Sequence, residues 1–496
     1  MAVTSTQLKD WLRKTSSARR CVLVEVGVLT GGSEITRYLS NKGYTTKSGE
    51  APANTQYKPC VSGGVTFTES LSLDGSVTIS TGAIEFDNTD GKLDSWLIDV
   101  WKNRSVKVFI GDELWPRSDF YQIFDGVTDK LDCTSRDIVS LVVSDKLQRL
   151  NTTVSDVKLG GSSANADKLI PWLYGEQFNV TPLLVDLAYN EYQVSGGPIS
   201  EIEEVRDNGV PVGFVPLLSQ GRFRITQAPQ GTITCDVMGD APNGVYVDDV
   251  VNIIKRLVKS FGNAQQRFTD SDLDLVSLNA FAAANTQPVG LYLTDKANVL
   301  ECCNKLAASI GARCVMSRTG LLSLIKLDLP QTTSGTLVTA DDIYERSLYV
   351  SQMPDVMAAA QVGYCRNNTI QNALQTGLPQ DQIAMYAQEQ EWLTSTKKSD
   401  AVATDYKLFT NPDMIETQLM TPEGADSEAT RLKTLWGVQR RVVVYDGMPW
   451  LMLESLGNPQ TVKHPTRFQL AAGVRGQIVR ITSDWLKAKI QIGVLL

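Results

Sequence analysis

From Cys21 to Val143 the chain is cut into short β-prone runs, each soon stopped by Gly, Asp or Asn, and this punctuation excludes a helical bundle for the first third of the sequence. Cys21-Val-Leu-Val-Glu-Val-Gly-Val28 alternates loosely and is rich in β-branched residues, which suit a pleated, half-buried surface. Val65 to Leu73, Val77 to Phe86, Val106 to Ile110, Phe120 to Val127 and Ile138 to Val143 repeat the pattern. Together they predict a barrel or sandwich over residues 21–150. Within it, Tyr38, Tyr44 and Tyr57 are placed to anchor a long ordered loop or wide hairpin from Ile35 to Val61. Asp87-Asn-Thr-Asp-Gly91 reads as a turn into a short helix with Leu93, Trp96 and Leu97 at helical spacing, Trp96 closing the core.

The punctuation continues, with one change of period. Residues 151–240 read as a separate small β domain: Asp207-Asn208-Gly209 is a strong hairpin signal, and two further strands flank Pro229-Gln-Gly231. Over 241–335 the period becomes helical. Val247, Val250, Val251, Ile254, Leu257, Val258 and Phe261 form one apolar stripe. A second helix is predicted from an N-cap at Thr294 to a stop at Gly311, with Val299, Cys303, Leu306 and Ile310 facing the core. A hairpin over Arg318-Thr-Gly320, leaving at Pro330, completes an α+β domain. Residues 336–496 read as a second β-barrel domain with helical insertions. Its strands are Arg440 to Tyr445, Trp450 to Leu453, Gly476 to Thr482 and Lys487 to Leu495. Tyr349 to Tyr364 pairs as strands, and helices are expected at Asp381 to Leu393 and Ser427 to Leu435. Residues 1–20 form an N-terminal segment with a short helix around Gln7 to Lys14. The fold class expected is mainly β with an α+β middle, multidomain, with β-barrel domains near both ends.

A chain of 496 residues, at about 150 residues per domain, suits this division and can bury a sizeable core. The opening residues lack the apolar run of an export signal, and no window is long and apolar enough to cross a bilayer, so stable membrane insertion is not expected. A formal charge of −8 argues against an undirected grip on nucleic acid, which needs Lys and Arg on phosphates. The eight cysteines are scattered without a CxxC pair and read as small buried hydrophobes of a protein made in a reducing cytoplasm. Cys302, Cys303 and Cys314 are close enough in sequence to keep a metal site open as an alternative.

No reactive constellation stands out. His464 is the one histidine and sits in a polar turn between Lys463 and Pro465, so any histidine-based nucleophile system would depend on it alone. No HExxH, Walker loop or GxGxxG after a strand is present. Asp270, Asp272 and Asp274 have the spacing that opens a calcium loop, but Leu275 stands at the turn glycine and Phe281 at the bidentate Glu, so an acidic turn or helix start is expected. Catalytic, cofactor-binding and metal residues are therefore assigned to none, and no cofactor is expected.

Several segments, in order, resemble the tail-tip hub proteins of long-tailed bacteriophages and gene transfer agents. They are Ile35-Thr-Arg-Tyr-Leu-Ser-Asn-Lys-Gly-Tyr44 with Ala51-Pro-Ala-Asn54, Thr81 to Gly91 with Leu93-Asp-Ser-Trp96, and Phe124-Asp-Gly-Val127. Later ones are Val205 to Val212, Gly231 to Val237, Val299 to Ile310 with Gly320, and Gly473 to Leu495. The resemblance implies tail-tube-like β-barrel domains near both ends of a non-enzymatic virion protein, assembled in the host bacterial cytoplasm as a homotrimeric ring at the distal end of the tail tube. It implies contacts with the tail tube or distal tail protein, the tape measure protein and other tail-tip or fibre proteins. Genome delivery would pass through the lumen without sequence-specific binding. Some related hubs hold an iron–sulfur cluster on four spaced cysteines; here Cys302 and Cys303 are adjacent and no matching quartet exists.

Three alternatives remain open on sequence alone: a distal tail ring or receptor-facing protein, a tail-associated cell-wall or glycan hydrolase with convergent carboxylates, and a carbohydrate-binding module. The last would lie within residues 151–240 and use Trp172, Tyr174, Tyr189 and Tyr192.

Overall fold

The computed structural model describes residues 3–14, 19–76, 78–329, 335–371 and 391–496. Val77, Pro330 and most of the helix expected over Asp381 to Leu393 lie outside them.

The punctuated first third folds as nine strands: β1 (Arg20–Thr30), β2 (Ser33–Ser40), β3 (Tyr44–Thr45), β4 (Gln56–Pro59), β5 (Val61–Ser70), β6 (Thr81–Asp87), β7 (Ser105–Asp112), β8 (Tyr121–Ser135) and β9 (Ile138–Asp145). The C-terminal part adds β10 (Thr336–Val338), β11 (Tyr349–Gln352), β12 (Val442–Gly447), β13 (Pro459–Val462), β14 (Val474–Asp484) and β15 (Lys489–Leu495). All fifteen belong to one sheet, whose order is β11-β12-β15-β14-β5-β6-β9-β8-β7-β1-β2-β4-β3, with β13 beside β14 and β10 beside β13. Residues 21–150 and 336–496 thus meet edge to edge. The expected class, mainly β with an α+β middle, is the one adopted.

Alternation along the strands distributes side chains between two cores. Val443 and Tyr445 point into the cluster shared with Val22, Val24, Ile84, Phe86, Leu141 and Trp485. Val442 and Val444, one residue out of phase, join the core of the middle region. β12 is buried on both faces, which is why Val442 to Tyr445 reads as an unbroken apolar run.

That second core is built by four of the helices described, and α1 (Ser5–Lys14) lies outside it. Its members are α2 (Val250–Ser260), α3 (Leu275–Ala284), α4 (Val299–Ala308) and α6 (Pro422–Trp436), while α5 (Asp400–Tyr406) is a short exposed turn of helix. The hairpin Ala312–Met316/Leu322–Lys326 closes it as expected. Gly311, at φ +74°, ends α4, and a Cβ there would meet the Arg431 guanidinium carbon at 2.3 Å. The N-cap of α4 is Asn298, whose side chain accepts from Glu301 N at 3.2 Å, not Thr294. Pairing overrides local propensity there, because Val154 N donates to Ala297 O (2.8 Å) and Val299 N to Thr152 O (2.8 Å), holding the approach extended.

The small β unit holds two four-stranded sheets. Asn208 and Gly209 take positive φ (48° and 83°), the two-residue turn their sequence predicts. The strands flanking Pro229-Gln-Gly231 do not pair with each other. Arg222–Ile225 joins Glu191–Gln193 and Phe214–Leu217, whereas Ile233–Asp240 joins Ile199–Asp207 and Glu176–Val180. Tyr349 to Tyr364 is likewise divided: β11 pairs with β12, and Ala359–Tyr364 pairs with Leu393–Lys398 and Met414–Glu416. Pro449–Leu453 is a 3-10 turn, not a strand; Pro449 opens it, and Trp450, Leu451 and Met452 are all buried, which an alternating strand with one wet face does not allow.

Candidate assembly interface

The seam between the two ends is a five-residue antiparallel ladder, Thr66 to Ser70 on β5 against Arg480 to Asp484 on β14. The turn after β14 is stitched by Asp484, whose Oδ1 accepts from Leu486 N and Lys487 N (both 3.1 Å) and, more weakly, from Val65 N of the other end (3.4 Å). Beneath the seam, Phe67 stacks on Phe124 at 4.4 Å, and Trp485, fully buried, packs in the same cluster. The middle region fastens it. Arg318, at the tip of the hairpin, donates through Nη2 to Glu69 (3.1 Å) and through Nη1 to Met452 O (2.5 Å), and its guanidinium lies 5.6 Å from the Trp485 ring. Half-buried charge-assisted bonds of this kind contribute about 1.5–3 kcal/mol each. Lys146 adds ion pairs to Asp125 (3.2 Å) and Asp272 (3.7 Å), and Arg149 pairs with Asp272 (3.3 Å).

The N-terminal helix is also docked. Leu8 and Leu12 are buried, Lys9 and Arg13 lie over the Trp450 ring at 4.1 and 4.6 Å, and Trp11 Nε1 donates to Asp112 at 3.1 Å. Leu8 and Leu12, four apart on one face, are the sequence signal for this docking.

The sheet nevertheless has free ends. Among the described residues β11 has a strand on one side only, so half its backbone groups are left unpaired by these strands, and Tyr349 and Met353 are exposed there. Around the β1–β2 hairpin, Ile35, Leu97, Ile98 and Val100 are each exposed; Ile35 pairs with Val28, and Val100 bridges Leu29 on the other side of β1, so the exposed apolar run is the segment Leu97 to Val100. Ile98 is 88% exposed, although Leu93 and Trp96 of the same turn are buried. The helical spacing places Leu97 inward, yet the segment is a 3-10 turn, Asp94–Ile98, and its tighter winding turns Leu97 outward. Arg37 bonds Asp99 (2.7 Å) and covers Trp96, fixing the base of this patch. Leu97, Ile98 and Val100, exposed within one short segment, make it a candidate contact surface.

The residues flagged for chemistry are used structurally. His464 Nδ1 accepts from Arg467 N (3.2 Å) and Thr466 N (3.4 Å), holding its own turn. Asp270 and Asp272 lie in a 3-10 turn capped by Thr269, and Asp274 caps α3 by accepting from Ser277 N at 3.0 Å. The acidic trio is a helix start. Cys302, Cys303 and Cys314 are buried among Leu306, Ile310 and Leu324; burial pushes Cys302 up to about 11 and Cys314 up to about 12, keeping both as thiols. Among the described residues no group of His, Cys, Asp and Glu is placed to hold a metal ion.

Of the four aromatic candidates, Tyr192 is stacked on Phe223 (5.4 Å) and buried, and Tyr189 is exposed beneath Arg224 (5.0 Å). Trp172 and Tyr174 sit apart from these, on the wall of a 550 Å³ cavity between the small β unit and α2. Sequence reasoning missed the cavity because α2 supplies its other wall.

No family model matches the chain, and no curated protein matches it. Among solved structures it is similar to the 43 kDa tail protein of prophage MuSo2 from Shewanella oneidensis, with 10% identity, a TM-score of 0.42, and coverage of 96% of this chain and 98% of that one. It is also similar to a tail protein from Neisseria meningitidis MC58 (8% identity, TM-score 0.40, 95% and 96% covered). A third is prophage tail protein gp18 from Listeria monocytogenes EGD-e (8%, 0.41, 95% and 94%).

Proposed function

We propose that this chain is a structural protein of a bacteriophage tail, and within the tail the hub at its tip, working by assembly and not by catalysis. One observation carries the reading: the two ends of the chain form a single fastened sheet that still presents a free edge strand and a rigid apolar patch. A subunit built this way is rigid within itself and unsatisfied at its borders, which is what closed rings of identical subunits require. The segments that resemble tail-tip hubs include one strand of the seam, within Gly473 to Leu495, and Phe124, which stacks on Phe67 of the other. Three copies would enclose a lumen for the genome, with the tail tube or distal tail protein on one face and tape measure, fibre or other tip proteins as further partners.

Mass measurement of the purified full chain tests the stoichiometry: a trimer is expected, a hexamer favours a distal tail ring, and a monomer at all concentrations rejects assembly. Gold-labelled antibody on intact particles tests the location. Label anywhere but the distal end of the tail rejects the tip.

A further inference from the structure

The cavity beside Trp172 is walled by strand Trp172–Tyr174, the Gly197-Pro198 turn, the end of α2 and the segment Thr152 to Val157. Its 550 Å³ falls inside the range of small-molecule sites, about 300–1,000 Å³. Two features of the wall have no structural use. Tyr174 is 1% exposed and borders the cavity, yet its hydroxyl has no hydrogen-bond partner among the described residues. Trp172 Nε1 is buried without an acceptor. The unpaired, buried Trp172 N–H costs free energy, and the Tyr174 hydroxyl at the cavity border is free to bond a guest there.

The remaining chemistry narrows what that is. Arg256 spends Nε and Nη2 on Asp240 (2.7 and 3.1 Å), a bidentate pair that presents a cation and an anion side by side in the wall. Asp240 is buried, so the pair is fixed. At the mouth Arg267 stands with Asp156, and hydroxyls come from Thr152, Thr153, Ser155 and Ser260. The wall therefore has no net charge to attract an anion, but many groups that both donate and accept. Trp172 is held edge-on to Phe261 at 4.9 Å, and its ring packs so closely on the Gly196-Gly197 backbone that a Cβ on Gly196 would approach it to 2.9 Å. A rigid indole beside a neutral donor–acceptor wall matches one ligand class, whose hydroxyls alternate with apolar C–H faces.

We propose that this cavity binds a neutral oligosaccharide, with Trp172 and Phe261 against the C–H face of a sugar ring and Tyr174, Arg256 and Asp240 on its hydroxyls. The proposal does not depend on ring assembly, since every wall residue comes from one chain.

Calorimetric titration of the full chain with chitotriose, cellotriose and maltotriose tests it, with inorganic phosphate as the anionic comparison. At least one trisaccharide is expected to bind, and phosphate is not. Tyr174→Phe, which removes one oxygen and leaves the packing, should weaken that binding about fivefold or more at unchanged melting temperature. Arg267→Ala, at the exposed mouth, supplies a second reading should Tyr174→Phe disturb folding, and should weaken binding less. Silence from all three sugars overturns the proposal, as does binding that ignores both substitutions, or phosphate binding as tightly as sugar.

Discussion

The main sheet and the small β unit are both largely antiparallel, yet one is assembled from the two ends of the chain and the other from a single stretch of it. In the main sheet Thr68 meets Thr482, 414 residues away. In the two four-stranded sheets of the small unit every strand pair lies within Glu176 to Asp240; only Trp172–Tyr174, before them, pairs outside the unit, with Leu291–Leu293. Loop-closure entropy makes distant pairings costly and slow, so the seam forms only when both partners and the middle region are in place, whereas those two sheets pair within one short stretch of chain. The part of the molecule proposed for assembly is thus the part that is cooperative across the whole chain.

The strongest way to break that comparison is at Trp485. It is fully buried in the core common to both ends, and Trp485→Ala should destabilise the main sheet by about 3–5 kcal/mol. Hydrogen exchange should then show protection lost together in β1, β7, β14 and β15 and retained in Ile199–Asp207. Equal loss in both would mean that the small unit is no separate cooperative body. The converse lies at Arg206, whose Nη1 donates to Asp236 at 2.9 Å while its Nη2 bonds the second carboxylate oxygen, both residues being buried. Asp236→Ala removes the bidentate partner of a buried guanidinium and leaves it the ion pair with Glu204 (2.5 Å), a loss of about 3–5 kcal/mol at most, confined to the small unit in the same experiment.

The same contrast explains what could be read from the amino-acid order. Alternation and β-branching located β1, β7 and β9, because face and local turn chemistry are properties of neighbours in sequence. Asn208-Gly209 and Gly311 were legible for the same reason: each requires a backbone conformation that few residues tolerate. The partner of β5 was not, since alternation says which face is buried and nothing about which strand lies alongside. Pro229-Gln-Gly231 looked like a hairpin turn because two apolar runs flank it, and only tertiary pairing sends those runs to different sheets. The start of α6 was legible and passed over: Thr421 caps it and Pro422 occupies the first turn, five residues before the expected Ser427. In the cavity, Trp172 and Tyr174 were among the aromatics the sequence drew attention to, but Arg256 and Arg267 come from another region, and no local pattern joins them.

A smaller effect sharpens the comparison through pH. Asp145 ends β9 and is fully buried; burial raises its carboxyl from 3.8 to about 7, against the backbone bonds it accepts from Ser80 N (2.7 Å) and Leu147 N (2.9 Å). Because the folded value lies above the unfolded one, stability is full below about pH 4 and is lost as pH rises toward 7. Between those values the slope attributable to this group is at most about 1.4 kcal/mol per pH unit. Asp145→Asn should flatten it for the main sheet, measured by denaturant midpoints at pH 4.5, 6 and 8, and leave the small unit's own pH dependence as it was.

The smallest expected change in stability belongs to Ile98→Asp, and it is the most informative about function. Ile98 is almost wholly exposed, so the substitution should shift the melting transition by no more than about 0.5 kcal/mol. Its effect should appear in association instead: an aspartate set between Leu97 and Val100 must be desolvated in any contact that buries this segment. Val215 on the small unit is exposed as well, and Val215→Asp is the matched control. If assembly resides in the sheet made from the two ends, Ile98→Asp yields a stable, smaller species by mass while Val215→Asp assembles as the parent does. The reverse result would move the interface to the small unit and leave the long-range seam as a matter of folding alone.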